Sequence, residues 1–282
     1  MMTFEVLDEL IKVPPERPTL FHYTTQEGLL GIVSSKSLWV TSVRHLSDST
    51  EFAYTVELVR ETLNRKLRGE KGPYSSYYAG ILGKLDALKD MTLFVGSFSE
   101  EGDLLSQWRA YGSSGIGFSV GFQYEYLRSL AEAQQFRILK CLYKESEHAA
   151  LVEKLINLGT LNVKEGDTQA GEMTFFIGLY QVAPALKHPS FSEEREWRVV
   201  SEVAWPNKSS AKFRTGKSML VPYREFNLAA EGRKMAISNV VAGPNPHMSA
   251  SLASLMYLLT GSGNIEPQGW AIVPSSVPYR SW

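Results

Sequence analysis

Apolar positions along the chain fall into short alternating runs and stretches of helical spacing, interleaved without a fixed order. Thr19–Thr24 (TLFHYT), rich in aromatic and β-branched residues, predicts a strand. Thr25 then serves as N-cap for a short helix over Gln26 to Ser34, with Leu29, Leu30 and Val33 on one stripe. Leu38 to Val43 returns as a strand. Asp48, with Glu51 behind it, has the form of a helix start, and an amphipathic stretch follows to Leu67. Tyr77 to Lys89 is spaced to bury Ile81, Leu85 and Leu88 on a second helix. Leu93 to Ser99 (LFVGSFS) and Ile116 to Phe122 read as strands, with one or two helical turns over Leu104 to Ala110 between them, and Arg137 to Tyr143 alternates as another. Helices are predicted at about Glu147 to Leu158 and Glu172 to Leu186, the second stopped by Pro189. Glu194 to Glu202, Ser218 to Tyr223, Ala236 to Ala242 and Trp270 to Val273 supply further strands, and Ala250 to Leu259 a late helix. Loops are expected at Arg68–Pro73, Glu100–Asp103, Gly112–Gly115, Lys164–Gly171 and Asn207–Lys217.

Strands scattered among helices without strict βαβ alternation predict an α+β fold with a mixed, largely antiparallel sheet flanked by helices. No long Pro/Gly/Ser linker and no internal repeat divides the chain, so residues 1–282 are expected to form one domain. Residues of about 50–90 and 147–186 read as helical insertions.

Composition narrows the setting more than the chemistry. With 44% hydrophobic and 21% charged residues, the chain has a globular balance rather than a disordered one. The 29 Lys+Arg against 30 Asp+Glu argue against non-specific binding along a polyanion. Cys141 is the only cysteine, which excludes an internal disulfide and a two-cysteine zinc site and points to a reducing, cytoplasmic setting. Acidic residues stand where a signal peptide would be basic, and Thr174 to Leu186 is too short an apolar run to span a bilayer. No membrane association is expected.

Several constellations invite a chemical reading. His22, His45, His148, His188 and His247 lie far apart with no helical ligand spacing, so no metal site is predicted. Gly117-Phe118-Ser119-Val120-Gly121 satisfies the G-x-S-x-G pattern of a nucleophile elbow. Ile116, Phe118, Val120 and Phe122 alternate straight through it, however, which puts Ser119 inside a strand and ranks a serine hydrolase low. Arg60 to Lys71 is a basic run interrupted by acids, read as a solvated helix end whose cations suit the helix dipole. The most pointed segment is Lys187 to Val200, KHPSFSEEREWRVV. Read as a strand, it sets Glu194, Glu196 and Arg198 on one face. That pattern fits a cross-strand salt-bridge ladder. It equally fits a cleft where a carboxylate stabilises positive charge growing on an anomeric carbon while an arginine holds a phosphate or keeps the carboxylate ionised.

Four segments together carry a resemblance. They are Phe21-His22-Tyr23-Thr24-Thr25 with Gly28-Leu29-Leu30 and Leu38 to Glu51; Ser97 to Glu100 with Trp108, Tyr111-Gly112 and Gly117-Phe118; Lys187 to Phe191 with Glu194, Glu196, Trp197 and Arg198; and Val277 to Arg280. The set, from about Leu20 to Arg280, resembles the bacterial domain-of-unknown-function family 2971, whose name supplies no activity. More weakly, the opening His-Tyr-Thr strand with its Leu-rich helix looks like the start of ADP-ribosyltransferase-type domains, which have a split sheet. That second resemblance implies NAD as substrate and an unknown acceptor, protein or nucleic acid, without metal. It implies that His22 holds the NAD ribose, supported by Tyr23 and Thr24, and that Ser97, Ser99 or Tyr111 takes the middle position. Glu194-Arg195-Glu196 matches the late Q/E-x-E motif, with Glu196 as the catalytic carboxylate, Glu194 orienting the acceptor and Arg198 beside them. No Tyr stands in the expected strand. The setting implied is an antiphage-defence or toxin effector. The alternative reading is a non-catalytic module that senses a nucleotide, nucleic acid or protein. In bland terms His22 is a core-edge histidine, Asp48 an N-cap, Trp108 and Trp197 core aromatics, and Tyr279 and Arg280 ties for the C-terminus.

Overall fold

The structure is a computed structural model, which describes residues 18–46, 51–86, 92–111, 117–203, 211–216, 218–267 and 269–278. Asp48, the Gly112–Gly115 loop, Tyr279 and Arg280 lie outside the described residues. The chain opens with strand β1 (Thr19–Thr24), helix α1 (Gln26–Ser35) and strand β2 (Ser37–Ser42). The Thr25 side chain accepts from the Gly28 N–H, which is the N-cap expected from sequence. Helices α2 (Glu51–Gly69) and α3 (Pro73–Lys84) lead to β3 (Phe94–Ser99), the short α4 (Leu105–Tyr111) and β4 (Phe118–Gln123). Next come α5 (Tyr124–Ala133), β5 (Phe136–Lys140), α6 (Glu145–Lys164) and α7 (Thr168–Val182). The remainder is β6 (Glu196–Ser201), β7 (Lys212–Thr215), β8 (Leu220–Asn227), β9 (Asn239–Ala242), α8 (Met248–Gly261) and β10 (Ala271–Pro274).

Among the described residues these strands form one mixed sheet in which β9 and β10 run parallel and the other pairings are antiparallel. Its centre is β3, and there the sheet forks. One edge of β3 pairs with β6 from Val95 to Ser99. The other edge is shared: β1 meets it only at Phe21–Ser99, and β2 only at Thr41–Val95 and Ser42–Phe94. Beyond those points β1 continues on β4, and β2 on β8. The stretch Gly96–Phe98 therefore has β6 on one side and a gap between diverging strands on the other.

Two cores cover the two faces. Val95, Leu139 and Val200 face the helices α2, α3, α6 and α7, packing on Val59, Leu63, Ile81, Leu155, Ile156 and Phe175. On the opposite face Phe94, Phe98, Val120, Phe122, Trp197 and Val199 pack on Leu29 and Ile32 of α1, Leu127 and Leu130 of α5, and Leu255 and Leu259 of α8. A small third cluster joins Tyr23, Trp108 and Val241.

Three elements differ from the hydrophobic pattern. Helix α5 occupies a stretch to which that pattern assigns nothing, although Tyr124, Leu127, Leu130 and Ala131 mark its buried stripe. Strand β7 lies where a loop is predicted, because its Lys212, Phe213 and Thr215 are exposed and leave no alternation to read. The predicted strand from Glu194 begins only at Glu196: residues Pro189–Glu194 form a 3-10 turn that ends at Arg195 in the left-handed region, φ 43°. Glu194 is thus not on the strand that carries Glu196 and Arg198. No helix among the described residues is long and apolar enough to cross a membrane.

Candidate functional site

The fork in the sheet makes the site. Ser97 stands opposite Arg198, and Ser99 stands opposite both Glu196 and Phe21, so these side chains share a face with Tyr23. His22, between Phe21 and Tyr23, belongs by alternation to the other face. It reaches the same place because the strands part: its Nδ1 donates to the Ser97 carbonyl at 2.9 Å, in the gap left beside β3. A carbonyl can only accept, so Nδ1 carries the proton and Nε2 of the neutral ring is the acceptor. Burial lowers the His22 pKa, against the opposing pull of the Ser97 hydrogen bond, and the ring is neutral at physiological pH.

Around this point lies a cleft of about 350 Å³, counting its open mouth, lined by Phe21, His22, Tyr23, Ser97, Phe98, Gln107, Tyr111, Glu194 and Glu196. Phe21 is seated there by Gly102 and Gly121, where a Cβ would stand 2.6 and 2.9 Å from its ring. Tyr23 also carries the wall: its hydroxyl donates to the Glu101 carbonyl at 2.8 Å and accepts from the Leu104 N–H at 2.9 Å, and its ring meets Trp108 edge-on. These contacts fix α4, which supplies Gln107 and Tyr111. Tyr111 is 41% exposed as a residue. Its hydroxyl pKa is nonetheless raised, by desolvation first and then by the Glu196 and Glu194 carboxylates that it faces.

Beneath the cleft is a buried ion network. Glu196, 4% exposed, receives Arg198 through Nε to Oε1 at 2.8 Å and Nη2 to Oε2 at 3.0 Å. Lys187 Nζ donates to Glu196 Oε2 at 2.6 Å and to Glu194 Oε2 at 2.5 Å. Arg198 Nη1 reaches the Pro184 carbonyl at 2.8 Å, and the Glu196 N–H donates to the Tyr143 hydroxyl at 2.8 Å. Burial alone would raise the Glu196 pKa, but Arg198 and Lys187 together outweigh it and hold the carboxyl at about 2. Lys187 is raised for the matching reason: burial and the neighbouring Arg198 would lower it, but Glu196 and Glu194 together outweigh them. Two carboxylates and two cations make the set neutral as a whole.

Six of the residues singled out in the sequence, His22, Tyr23, Ser97, Tyr111, Glu194 and Glu196, line this one cleft. Arg198 lies under it as the partner of Glu196. Ser99 is buried as a pin, donating to the Glu194 carbonyl at 2.8 Å and accepting from the Glu101 N–H at 3.1 Å. Thr24 turns toward Gly28 at the start of α1, with its hydroxyl close against that glycine, and is not a lining residue. Ser119 is fully buried within β4 and donates to the Gly102 carbonyl at 2.6 Å, an environment with no sharp strand-to-helix turn. Two residues escape the sequence reading. Lys187 is legible only as part of the run before Glu194, and Gln107 gives no signal beyond its place on α4. Among the described residues no group of three or more His, Cys, Asp or Glu could hold a metal ion.

Comparison with known proteins adds a family match over part of the chain and nothing finer. No curated protein and no solved structure matches the chain, so the weaker likeness to ADP-ribosyltransferases has no known fold behind it. Residues 107–199, a narrower span than the one read from sequence but one that holds Gln107, Tyr111, Lys187, Glu194, Glu196 and Arg198, match the model of the family described as "Protein of unknown function (DUF2971)".

Proposed function

We propose that the cleft carries out glycosyl transfer from NAD, as an ADP-ribosyltransferase or NAD glycohydrolase does. The observation that carries the reading is convergence: His22, Ser97, Tyr111 and the Glu194–Glu196 pair come from four separated segments and line one cleft. The cleft is shallow and open at its mouth, so in this reading only the sugar and its ring approach these residues and the rest of the dinucleotide lies outside. His22 Nε2 accepts from a ribose hydroxyl, the Ser97 hydroxyl lies beside it, and Phe21 and Tyr111 flank the ring. As the bond from the anomeric carbon to nicotinamide breaks, its electron pair leaves with nicotinamide, and Glu196 stabilises the positive charge left on the sugar. A carboxyl held at about 2 is suited to that electrostatic role and not to proton transfer. Glu194, less tightly held, orients the acceptor, which is water or a nucleophile on a protein or nucleic acid. A cytoplasmic effector of antiphage defence, or a toxin, is the setting that the sequence resemblance supplies for this reaction. Incubation with NAD should release nicotinamide, and Glu196→Gln should abolish release while the protein remains folded. Absence of turnover by the wild type with water and every acceptor, or full activity in Glu196→Gln, overturns the reading.

One observation favours a second reading. Each charge beneath the cleft is already matched within the network, as in a recognition module that binds without reacting. In that case the wild type consumes no NAD, and Glu196→Gln changes stability or affinity alone.

A further inference from the structure

The cleft contains a polar side chain that the proposed reaction leaves unused. Gln107 is 6% exposed and lines the cleft with His22, Ser97 and Glu196. Its side-chain amide has no hydrogen-bonding partner among the described residues, yet none of its atoms is sealed from the cleft. Buried amides are ordinarily paired with protein or with water, so one without a protein partner at a cleft wall offers a donor and an acceptor to whatever enters the cleft. The backbone that carries the amide is anchored, because its neighbour Trp108 is fixed by Tyr23 and by a bond of 2.7 Å from Nε1 to Asp103 Oδ1.

We propose that Gln107 is the specificity residue of the cleft and reads a carboxamide on a planar ring. A glutamine amide presents one donor and one acceptor side by side in a plane, the complement of another carboxamide. The walls agree with a ring, since Phe21, Phe98 and Tyr111 are aromatic. The charges exclude an anionic counterpart. Lys187 and Arg198 are already matched by Glu194 and Glu196, so no net cation is left for a carboxylate, which would also turn two acceptors toward the Gln107 oxygen and both glutamates. This assignment rests on the NAD reading, in which the leaving group is such a ring.

The test compares nicotinamide with nicotinate, which differ only in carboxamide against carboxylate. Binding of each to the wild type and to Gln107→Met is followed by ligand-observed NMR, with thermal unfolding as the folding control. The wild type should bind nicotinamide at least about tenfold more tightly than nicotinate, because a site built for a hydrogen-bonding pattern rejects the analogue that cannot supply it. Gln107→Met should lose that preference while melting as the wild type does. Equal binding of the two rings, binding of neither, or a preference retained in Gln107→Met overturns the proposal. If Gln107→Met does not fold, the wild-type comparison decides alone. A carboxamide preference without NAD cleavage removes the transfer reaction and keeps Gln107 as the reader. Cleavage of NAD without such a preference does the opposite.

Discussion

Burying a carboxylate as completely as Glu196 ordinarily raises its proton affinity, and in this chain Arg198 and Lys187 reverse the direction. The reversal makes each cation necessary to the others' burial. Arg198→Met keeps the volume and removes the charge that holds both Glu196 oxygens, leaving a buried carboxylate with Lys187 alone. It should lower unfolding free energy by about 3–5 kcal/mol in urea titrations, and a loss under about 1 kcal/mol would show that the pair is not structural. The same shift sets an acid limit. Because the folded pKa, about 2, lies below the ordinary 4.5, the ionised form favours the fold. That contribution is complete above the ordinary value and drains away as pH falls toward about 2. Stability measured from pH 7 downward should therefore fall more steeply in the wild type than in Glu196→Gln. At this scale the sequence is a partial guide: a carboxylate and an arginine two residues apart are visible, whereas the burial that makes them a matched pair depends on Lys187 and Pro184 arriving from another segment.

Among elements, the junction between the 3-10 turn and β6 decides where the two glutamates stand. Arg195 closes the turn with φ 43°, its N–H bonded to the Ser192 carbonyl at 3.3 Å and its carbonyl to the Glu100 N–H at 3.2 Å. A non-glycine residue pays strain there, and a β-branched one pays more. Arg195→Gly should be neutral or stabilising by up to about 1 kcal/mol, despite loss of the exposed ion pair to Glu101. Arg195→Val should cost about 1–3 kcal/mol, read as a lower melting temperature, and equal melting of the two variants would mean that the turn carries no strain. Alternation from Glu194 hides this junction, because the pattern continues unbroken through a residue whose backbone has left the strand. Composition succeeds for β1, β3 and β4, whose aromatic and β-branched residues suit strands packed within a sheet. It says nothing of the fork, since which edge of β3 goes to β1 and which to β2 depends on pairings between distant segments.

On the scale of the whole molecule, the cleft depends on a clamp between the end of the described chain and the loop before α4. Asp103 Oδ1 accepts from Trp108 Nε1 at 2.7 Å and from the Ser275 hydroxyl at 2.5 Å, while Oδ2 accepts from the Ser276 N–H at 2.7 Å and its hydroxyl at 2.9 Å. Residues 275–276, which follow the outermost strand β10, are thereby tied to the wall of a cleft centred on β3. Burial would raise the Asp103 pKa, but those four hydrogen bonds outweigh it and lower it. The ionised carboxylate is thus the clamping form, and its contribution weakens as pH falls through and below the ordinary carboxylate value of 3.8. Asp103→Ala should cost about 2–3 kcal/mol, since it leaves the indole N–H and the Ser276 N–H without their acceptor. A merely local bond would end there. If the clamp carries the wall, hydrogen exchange across Leu105–Tyr111 should also quicken, because Tyr23 would then hold α4 alone. Unchanged exchange in α4 beside the expected loss of stability would confine Asp103 to the chain end and leave the cleft wall to Tyr23 and Trp108.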